Sequence, residues 1–191
     1  MPTRKIKTVC VYASSSDALA PRYLHDAREL GARIAQQGWT LVYGAGHMGE
    51  VARAVHACNG EVIGVIPQKL SDMDLAYTQA DELIVTTGMR DRKAVMEERS
   101  DAFIALPGGF GTLEELMEIL VLKQLGYMDK PLVFLNTNGV YDKLLEFFDR
   151  LTSCEFIKPS QKDLFLVANT VDALMELLED YRPHTPEGKW Y

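Results

Sequence analysis

Apolar and polar positions follow two patterns along the chain: short continuous apolar runs and longer amphipathic stretches between them. The runs are rich in β-branched residues and mostly apolar at every position, as expected of parallel strands covered on both faces. We predict strands over residues 7–13, 40–44, 61–67, 82–87, 102–109 and 131–136, with an edge strand over residues 163–169.

The amphipathic stretches repeat with the period of a helix. In the fourth, Leu113, Leu116, Met117 and Leu120 recur at steps of three and four and form one apolar stripe. The predicted helices cover residues 21–37, 49–58, 89–100, 112–126, 139–152 and 171–181. This alternation predicts an α/β fold with a doubly wound, mostly parallel sheet and helices on both faces. No repeat or linker interrupts it, so we expect a single domain over residues 1–191.

The bulk composition narrows the range of partners. A net charge of −7 over 191 residues repels nucleic acid and anionic membranes, and we expect neither as a partner. The three cysteines lack metal-ligand spacing, and Cys10 lies in an apolar run typical of a buried thiol. The chain start has no apolar signal region, and no apolar run approaches the roughly 20 residues of a membrane span. These features favour a cytoplasmic location.

In a doubly wound sheet, ligands bind at the carboxyl ends of the strands. One such end carries Gly44, Gly46 and Gly49 in a G-x-G-x-x-G pattern, which by itself suggests a dinucleotide site. The pattern follows the second strand rather than the first, and Gln68 and Lys69 stand where an acidic residue is expected. It is therefore a weak indication of nicotinamide binding, although a glycine turn close to some ligand remains plausible.

Three serines, Ser14 to Ser16, end the first strand. They fit either a polar loop that leads into the next helix or a set of donors for a phosphate or sugar.

The stretch "PGGFGT", residues 107–112, is a stronger candidate. Glycines let the backbone approach a ligand closely, and the amides at a helix start attract anions. The G-K-[ST] ending of a P-loop is absent, and a tight turn before a capped helix would also explain the spacing.

Basic residues begin the helix that follows the fourth strand. Arg90, Arg92 and Lys93 oppose the helix dipole there, which favours a bound anion over surface pairs with Asp91 and Glu97. We expect Arg92 and Glu115 to reach the same rim. The four histidines have no ligand spacing, so no metal site is predicted.

Glu115 itself has two interpretations. Thr112 and Glu115 match a helix capping box, in which both side chains satisfy the first backbone amides. Alternatively, Glu115 is a carboxylate held beside a bound phosphate for chemistry.

Together, "MRDRK" and the unbroken pattern P-G-G-x-G-T-x-x-E, Pro107 to Glu115, resemble the Lonely Guy family of cytokinin riboside 5′-monophosphate phosphoribohydrolases. The resemblance extends over nearly the whole chain, from "VCVYASS" to a "KW" near the terminus. It implies a homodimer of Rossmann-like subunits that cleaves the N-glycosidic bond of a nucleoside 5′-monophosphate without a cofactor. Many relatives carry the label "possible lysine decarboxylase", but nothing in the sequence supports pyridoxal chemistry.

The resemblance also implies residue roles. Arg92 and Glu115 correspond to the catalytic pair. The implied substrate-binding residues, besides that pair, are Ser14, Gly44, Asp74, Met89, Lys93, Gly108, Gly109, Phe110, Gly111, Thr112, Leu113 and Glu114.

Three departures from the family pattern bear on substrate preference. Arg90 replaces a histidine, Ala13 replaces a glycine, and the glycine stretch at 44–49 is about three residues shorter than in relatives. Two alternatives therefore stay open: a non-catalytic carrier of a nucleotide or molybdenum cofactor, and a nicotinamide-dependent oxidoreductase.

Overall fold

A computed structural model describes residues 5–16, 18–44 and 49–183. Within them, seven strands form one sheet in the order β4-β3-β2-β1-β5-β6-β7, and every neighbouring pair runs parallel. The strands are β1 (Thr8–Tyr12), β2 (Thr40–Tyr43), β3 (Val62–Pro67), β4 (Glu82–Thr86), β5 (Ala102–Ala105), β6 (Leu132–Leu135) and β7 (Leu166–Ala168). The predicted Rossmann-like sheet is confirmed, and β7 lies at its edge.

The helices cover both faces of the sheet because each central strand is apolar on both sides. In β1, Val9 and Val11 join one buried cluster, whereas Cys10 and Tyr12 join the other. Helices α1 (Pro21–Gln36), α2 (Gly49–Ala57) and α7 (Val171–Glu179) pack on the first face. Helices α4 (Met89–Arg99), α5 (Phe110–Gln124) and α6 (Asp142–Ser153) pack on the second face.

Several short segments differ from the predicted pattern. Residues 163 and 164 of the predicted edge strand belong to a 3₁₀-helix over Pro159–Leu164, and two further differences bear on the site. A four-residue helix, α3 (Gln68–Ser71), follows β3 directly, and its length gives too little periodicity to be recognised in a sequence. Strand β5 ends at Ala105, and α5 begins at Phe110, two residues before the predicted start. Residues 106–109 therefore form a connection between them.

The strand order reverses between β1 and β5, since successive strands leave β1 in opposite directions. In open parallel sheets this switch point leaves a crevice outside the carboxyl ends of the two strands. Among the described residues, no helix has both the length and the apolar character needed to cross a membrane.

Candidate functional site

A crevice of about 630 Å³ opens at the switch point. One wall comes from the exits of β1 and β5, and the opposite side comes from the segments after β2, β3 and β4. Its lining residues are Ala13, Ser14, Ser15, Ser16, Gly44, Leu70, Leu75, Met89, Arg92, Gly109, Phe110, Gly111, Thr112, Glu114 and Glu115.

A buried ion pair forms the floor of the crevice. Arg92 Nη2 donates to Glu115 Oε1 at 2.8 Å, and the two residues are 8% and 5% exposed. Their strands, β4 and β5, are separated by three others in the sheet, so α4 carries Arg92 from the edge back to the centre. The predicted meeting of Arg92 and Glu115 is confirmed.

The pKa of the Glu115 carboxyl group is raised. Burial raises the pKa of Glu115 to about 7, and the neighbouring guanidinium of Arg92 only partly offsets that rise. Burial therefore outweighs the ion pair, and both protonation states are populated near neutral pH. A carboxyl group with such a pKa can accept a proton from water and return it, as general acid–base chemistry requires.

Arg92 owes its position to Gly44. A Cβ atom added at Gly44 would lie 1.7 Å from Arg92 Nη2, so only glycine at the exit of β2 leaves room for the guanidinium. Arg92 Nη1 also lies 3.7 Å from the sulfur of Met89. Its Nε is buried without a hydrogen-bond partner among the described residues.

The second cation of α4, Lys93, is held by carboxylates instead of facing the crevice. Its ammonium group pairs with Glu114, and its Nζ lies 2.7 Å from Glu118 Oε2. Lys93 is 8% exposed. Lys93 therefore adds no exposed charge to the crevice, whose lining donors are Arg92, backbone amides and hydroxyl groups.

The first turn of α5 does not form the capping box considered above. Gly109 is the N-cap residue, and no side chain caps the helix there. Thr112 lies inside the helix, where its hydroxyl donates to the carbonyl of Ala13 at 2.9 Å. Because Glu115 is paired with Arg92, the capping interpretation of Thr112 and Glu115 is wrong.

The three glycines of the loop differ in what surrounds them. A Cβ atom on Gly108 would lie 2.0 Å from Thr112 Oγ1, so this glycine lets the threonine hydroxyl reach the β1 exit. A Cβ atom on Gly109 or Gly111 would meet nothing within 4 Å, and neither residue has a positive φ. Local packing therefore does not require glycine at Gly109 or Gly111, which leaves the open crevice above their amides as the reason for small residues.

The β1 exit separates the crevice from a second cavity. Ser16 N donates to Ser14 Oγ at 3.0 Å, and Ala18 N donates to Ser16 Oγ at 3.2 Å, so both hydroxyls also shape the loop. A cavity of about 250 Å³ lies on the α1–α2 side of this loop. Ser14 and Ser16 line both spaces.

Most of the predicted substrate-binding residues meet in the crevice. Four do not line it. Lys93 is paired with carboxylates, Gly108 adjoins Thr112, Leu113 of α5 packs against the second buried cluster, and Asp74 is exposed. Asp74 has a positive φ of 56°. Gly46 of the G-x-G-x-x-G pattern lies outside the described residues.

Sequence reasoning missed Leu70 and Leu75, which give the crevice an apolar side. No motif marks them, because they belong to α3 and the turn after it. His25, Asp26 and Glu29 bring their ligand atoms within 4.8 Å of one another on α1, away from the crevice. Asp26 already accepts a hydrogen bond from Thr137.

Comparison with known proteins finds relatives along most of the chain. A family model described as "Possible lysine decarboxylase" matches residues 48–178. A cytokinin riboside 5′-monophosphate phosphoribohydrolase of Mycobacterium tuberculosis is 47% identical over 171 residues, which cover 87% of this chain and 91% of that protein. One from Arabidopsis thaliana is 42% identical over 182 residues, 94% of this chain and 80% of that protein.

Among solved structures, the molybdenum cofactor carrier protein of Chlamydomonas reinhardtii superposes with a TM-score of 0.68. It is 28% identical and covers 90% of this chain, and the match spans 95% of that protein. The identities of 42% and 47% to the two phosphoribohydrolases are higher and extend over similar lengths. The chain therefore belongs to the Lonely Guy family, whose members are named cytokinin riboside 5′-monophosphate phosphoribohydrolases.

Proposed function

We propose that this protein hydrolyses the N-glycosidic bond of nucleoside 5′-monophosphates, releasing the free base and ribose 5-phosphate. Its substrates are cytokinin riboside 5′-monophosphates, AMP or both. The observation that carries the proposal is the buried Glu115–Arg92 pair on the floor of the switch-point crevice, with the pKa of Glu115 raised to about 7. The names of the two phosphoribohydrolase relatives support it.

The 5′-phosphate docks at the start of α5. Phe110, Gly111 and Thr112 are the first three residues of this helix, so their amides have no partner within it. Those amides and the positive end of the helix dipole attract an anion, and the open space above Gly109 and Gly111 admits one. Ser14 lies across the crevice and supplies a further hydroxyl.

The docked phosphate fixes the ribose over Glu115, one turn further along α5. Cleavage passes through an oxocarbenium-like state, in which positive charge grows at C1′ and the ring oxygen. The Glu115 carboxylate stabilises that charge and takes a proton from the attacking water. The water oxygen bonds to C1′, while the electron pair of the C1′–N bond leaves with the base, which accepts a proton.

The base extends toward the apolar side of the crevice. Leu70, Leu75 and Met89 lie there, and none of their side chains can hydrogen-bond strongly with a purine. This chemistry supports tolerance of an apolar substituent on N6 of adenine. The choice between AMP and an N6-substituted nucleotide is measured by comparing the two as substrates.

The expected homodimer and cytoplasmic location belong to the same proposal. Phe110 is 93% exposed and Met89 48% exposed at the crevice mouth, which supports burial of this rim by a second subunit. We expect no nucleic acid or membrane partner, because the chain is acidic. Light scattering during size-exclusion chromatography measures the assembly state.

The direct test is turnover of AMP and N6-isopentenyl-AMP by the purified protein, with free base and ribose 5-phosphate quantified. Glu115→Gln keeps an acceptor for Arg92 but cannot ionise, so kcat should fall by about 10³-fold while the protein stays folded. Glu97→Gln is the matched control. Burial also raises the pKa of Glu97, a half-buried residue that does not line the crevice, and this variant should turn over normally.

The carrier alternative is favoured by the likeness to the molybdenum cofactor carrier protein. It predicts stoichiometric binding of a nucleotide or cofactor with no base released by the unmodified protein. A nicotinamide-dependent enzyme would instead bind NAD. Normal turnover by folded Glu115→Gln would exclude the proposed role of Glu115.

A further inference from the structure

A tyrosine on the far side of the β5 exit holds the glycine loop in place. Tyr141 Oη donates to the carbonyl of Leu106 at 2.6 Å. Leu106 is the residue directly after β5, and it is 3% exposed, as is Tyr141. The hydrogen bond therefore joins the start of α6 to the first residue of the loop, inside the protein.

Tyr141 is itself fixed on several sides. Its backbone N–H donates to Asn136 Oδ1 at 2.8 Å, and Asn136 Nδ2 donates to Asp142 Oδ1 at 2.8 Å. Its ring packs against Phe134 with centroids 5.5 Å apart. Burial raises the pKa of the Tyr141 hydroxyl, so it stays protonated and remains a donor at any working pH. A rigid donor of this kind determines where its acceptor lies.

The loop is attached elsewhere through the backbone of Leu106 and, at the first turn of α5, through the Thr112 hydroxyl, which donates to the carbonyl of Ala13. Leu106 N donates to the carbonyl of Tyr12 at 2.9 Å, and Pro107 has no N–H to donate. Leu113 N then donates to the carbonyl of Gly109 as the first turn of α5 closes. Leu106 is thus held through both its N–H and its carbonyl, and the chain from Pro107 to the amides of α5 continues from that fixed point.

We propose that Tyr141 is a positioning residue for the anion-binding amides, acting through Leu106 without touching substrate. The inference rests on the proposed function, because it assigns the phosphate of the nucleotide to the loop that Tyr141 holds. Without the hydroxyl, the Leu106 carbonyl loses its buried partner. The amides of Phe110 to Thr112 keep the Thr112–Ala13 hydrogen bond but lose one of the bonds that fix the loop before them. Affinity for the phosphate end of the substrate should fall, and affinity for the base should not.

The test compares Tyr141→Phe with Tyr181→Phe, which also removes one phenolic hydroxyl. The Tyr181 hydroxyl bonds Asp129 and Lys123, away from the crevice. We expect Tyr141→Phe to bind ribose 5-phosphate about tenfold more weakly, the size of one lost hydrogen bond, while inhibition by free adenine is unchanged. Tyr181→Phe should retain the affinity for both compounds, even if it melts at a similarly reduced temperature.

Amide hydrogen exchange on the unliganded proteins separates this inference from the proposed function. Exchange across residues 108–113 should accelerate in Tyr141→Phe but not in Tyr181→Phe. Unchanged exchange, or faster exchange with undiminished ribose 5-phosphate affinity, overturns the positioning role. An unmodified protein that neither binds ribose 5-phosphate nor releases base refutes the proposed function instead, and the exchange result then decides alone whether Tyr141 holds the loop.

Discussion

The two ends of helix α5 carry ionisable groups that are buried to the same degree but differ in their surroundings. Glu115 in the second turn is 5% exposed, and Lys123 near the last turn is 3% exposed. Burial raises the pKa of Glu115 to about 7 and lowers the pKa of Lys123 to about 8. In both cases the loss of water disfavours the charged form, so the shifts have one physical origin.

The partners of the two groups distinguish them. The ammonium group of Lys123 donates to the carbonyl of Lys130 and to the Tyr181 hydroxyl, and it lies 5.3 Å from the Tyr181 ring centre. Glu115 meets a guanidinium and lines an open crevice. A shifted pKa indicates chemistry only when a substrate can reach the group, and at Lys123 it reflects a structural anchor.

After loss of the Glu115 carboxylate itself, the largest expected effect comes from moving Arg92 away from Glu115. In Gly44→Ala the new methyl group would overlap the guanidinium and displace it from the carboxylate, lowering kcat by about 100-fold. Gly88→Ala is the control, because its Cβ atom would meet nothing within 4 Å. Steady-state assays measure kcat of both variants. Equal values of kcat would show that the position of Arg92 is irrelevant to turnover.

In contrast to Gly44→Ala, Lys123→Met should lower stability and leave kcat unchanged. The Lys130 carbonyl would lose its donor in the interior, so the free energy of unfolding should fall by about 2 kcal/mol. The folded protein should retain its kcat because the crevice is unchanged. Urea unfolding and an assay at a temperature where the variant is folded measure the two quantities. A loss of kcat at full folding would mean that Lys123 contributes to chemistry after all.

The mildest perturbation, which changes no residue, is a change of pH, and its effect on stability should differ in sign between the two groups. Activity should rise about tenfold per pH unit below an apparent pKa of about 7, because ionised Glu115 is the active form. The folded pKa of Glu115 lies above its ordinary value of 4.5, so its contribution to stability is lost as pH rises from 4.5 to 7. The folded pKa of Lys123 lies below its ordinary value of 10.5, so stability should rise between pH 8 and 10.5.

Variants provide the control for these curves. Glu115→Gln should abolish the stability change between pH 4.5 and 7, and Lys123→Met should abolish the change between pH 8 and 10.5. A rate profile of the unmodified protein that stays flat from pH 5 to 8 would contradict the assignment of Glu115.

Much of the fold could be predicted because its signals are local. The β1 run is apolar at successive positions, and the stripe through Leu116 and Leu120 has helical spacing, so each element was recognisable without its neighbours. The predicted start of α5 lies two residues too late, because the sequence spacing of Thr112 and Glu115 matches that of a capping box at a helix start. Two long-range contacts resolve that ambiguity: Thr112 bonds Ala13, 99 residues away, and Glu115 pairs with Arg92.

The site was predictable where a motif marks it and not elsewhere. Arg92 and Glu115 each lie in a recognisable pattern, but β4 and β5 are not neighbours, and the two side chains meet because α4 returns from the edge of the sheet to its centre. The pairing of Lys93 with Glu114 and Glu118 depends on how α4 and α5 pack side by side. Leu70 and Leu75 line the crevice only because β3 and β4 are neighbours in space, a fact that no local pattern contains.

Helix α4 connects β4, at one edge of the sheet, to the site at its centre. Because Arg92 lies on the helix that returns from edge strand β4 to the middle of the sheet, a conformer in which β4 and α4 detach together would hold Glu115 without its guanidinium. Such partly opened molecules would release no base in the turnover assay, although most of their core would stay intact. The rate of base release would then measure the fraction of molecules in which this edge of the sheet is in place. Catalysis would thus be sensitive to local unfolding far from the reacting bond.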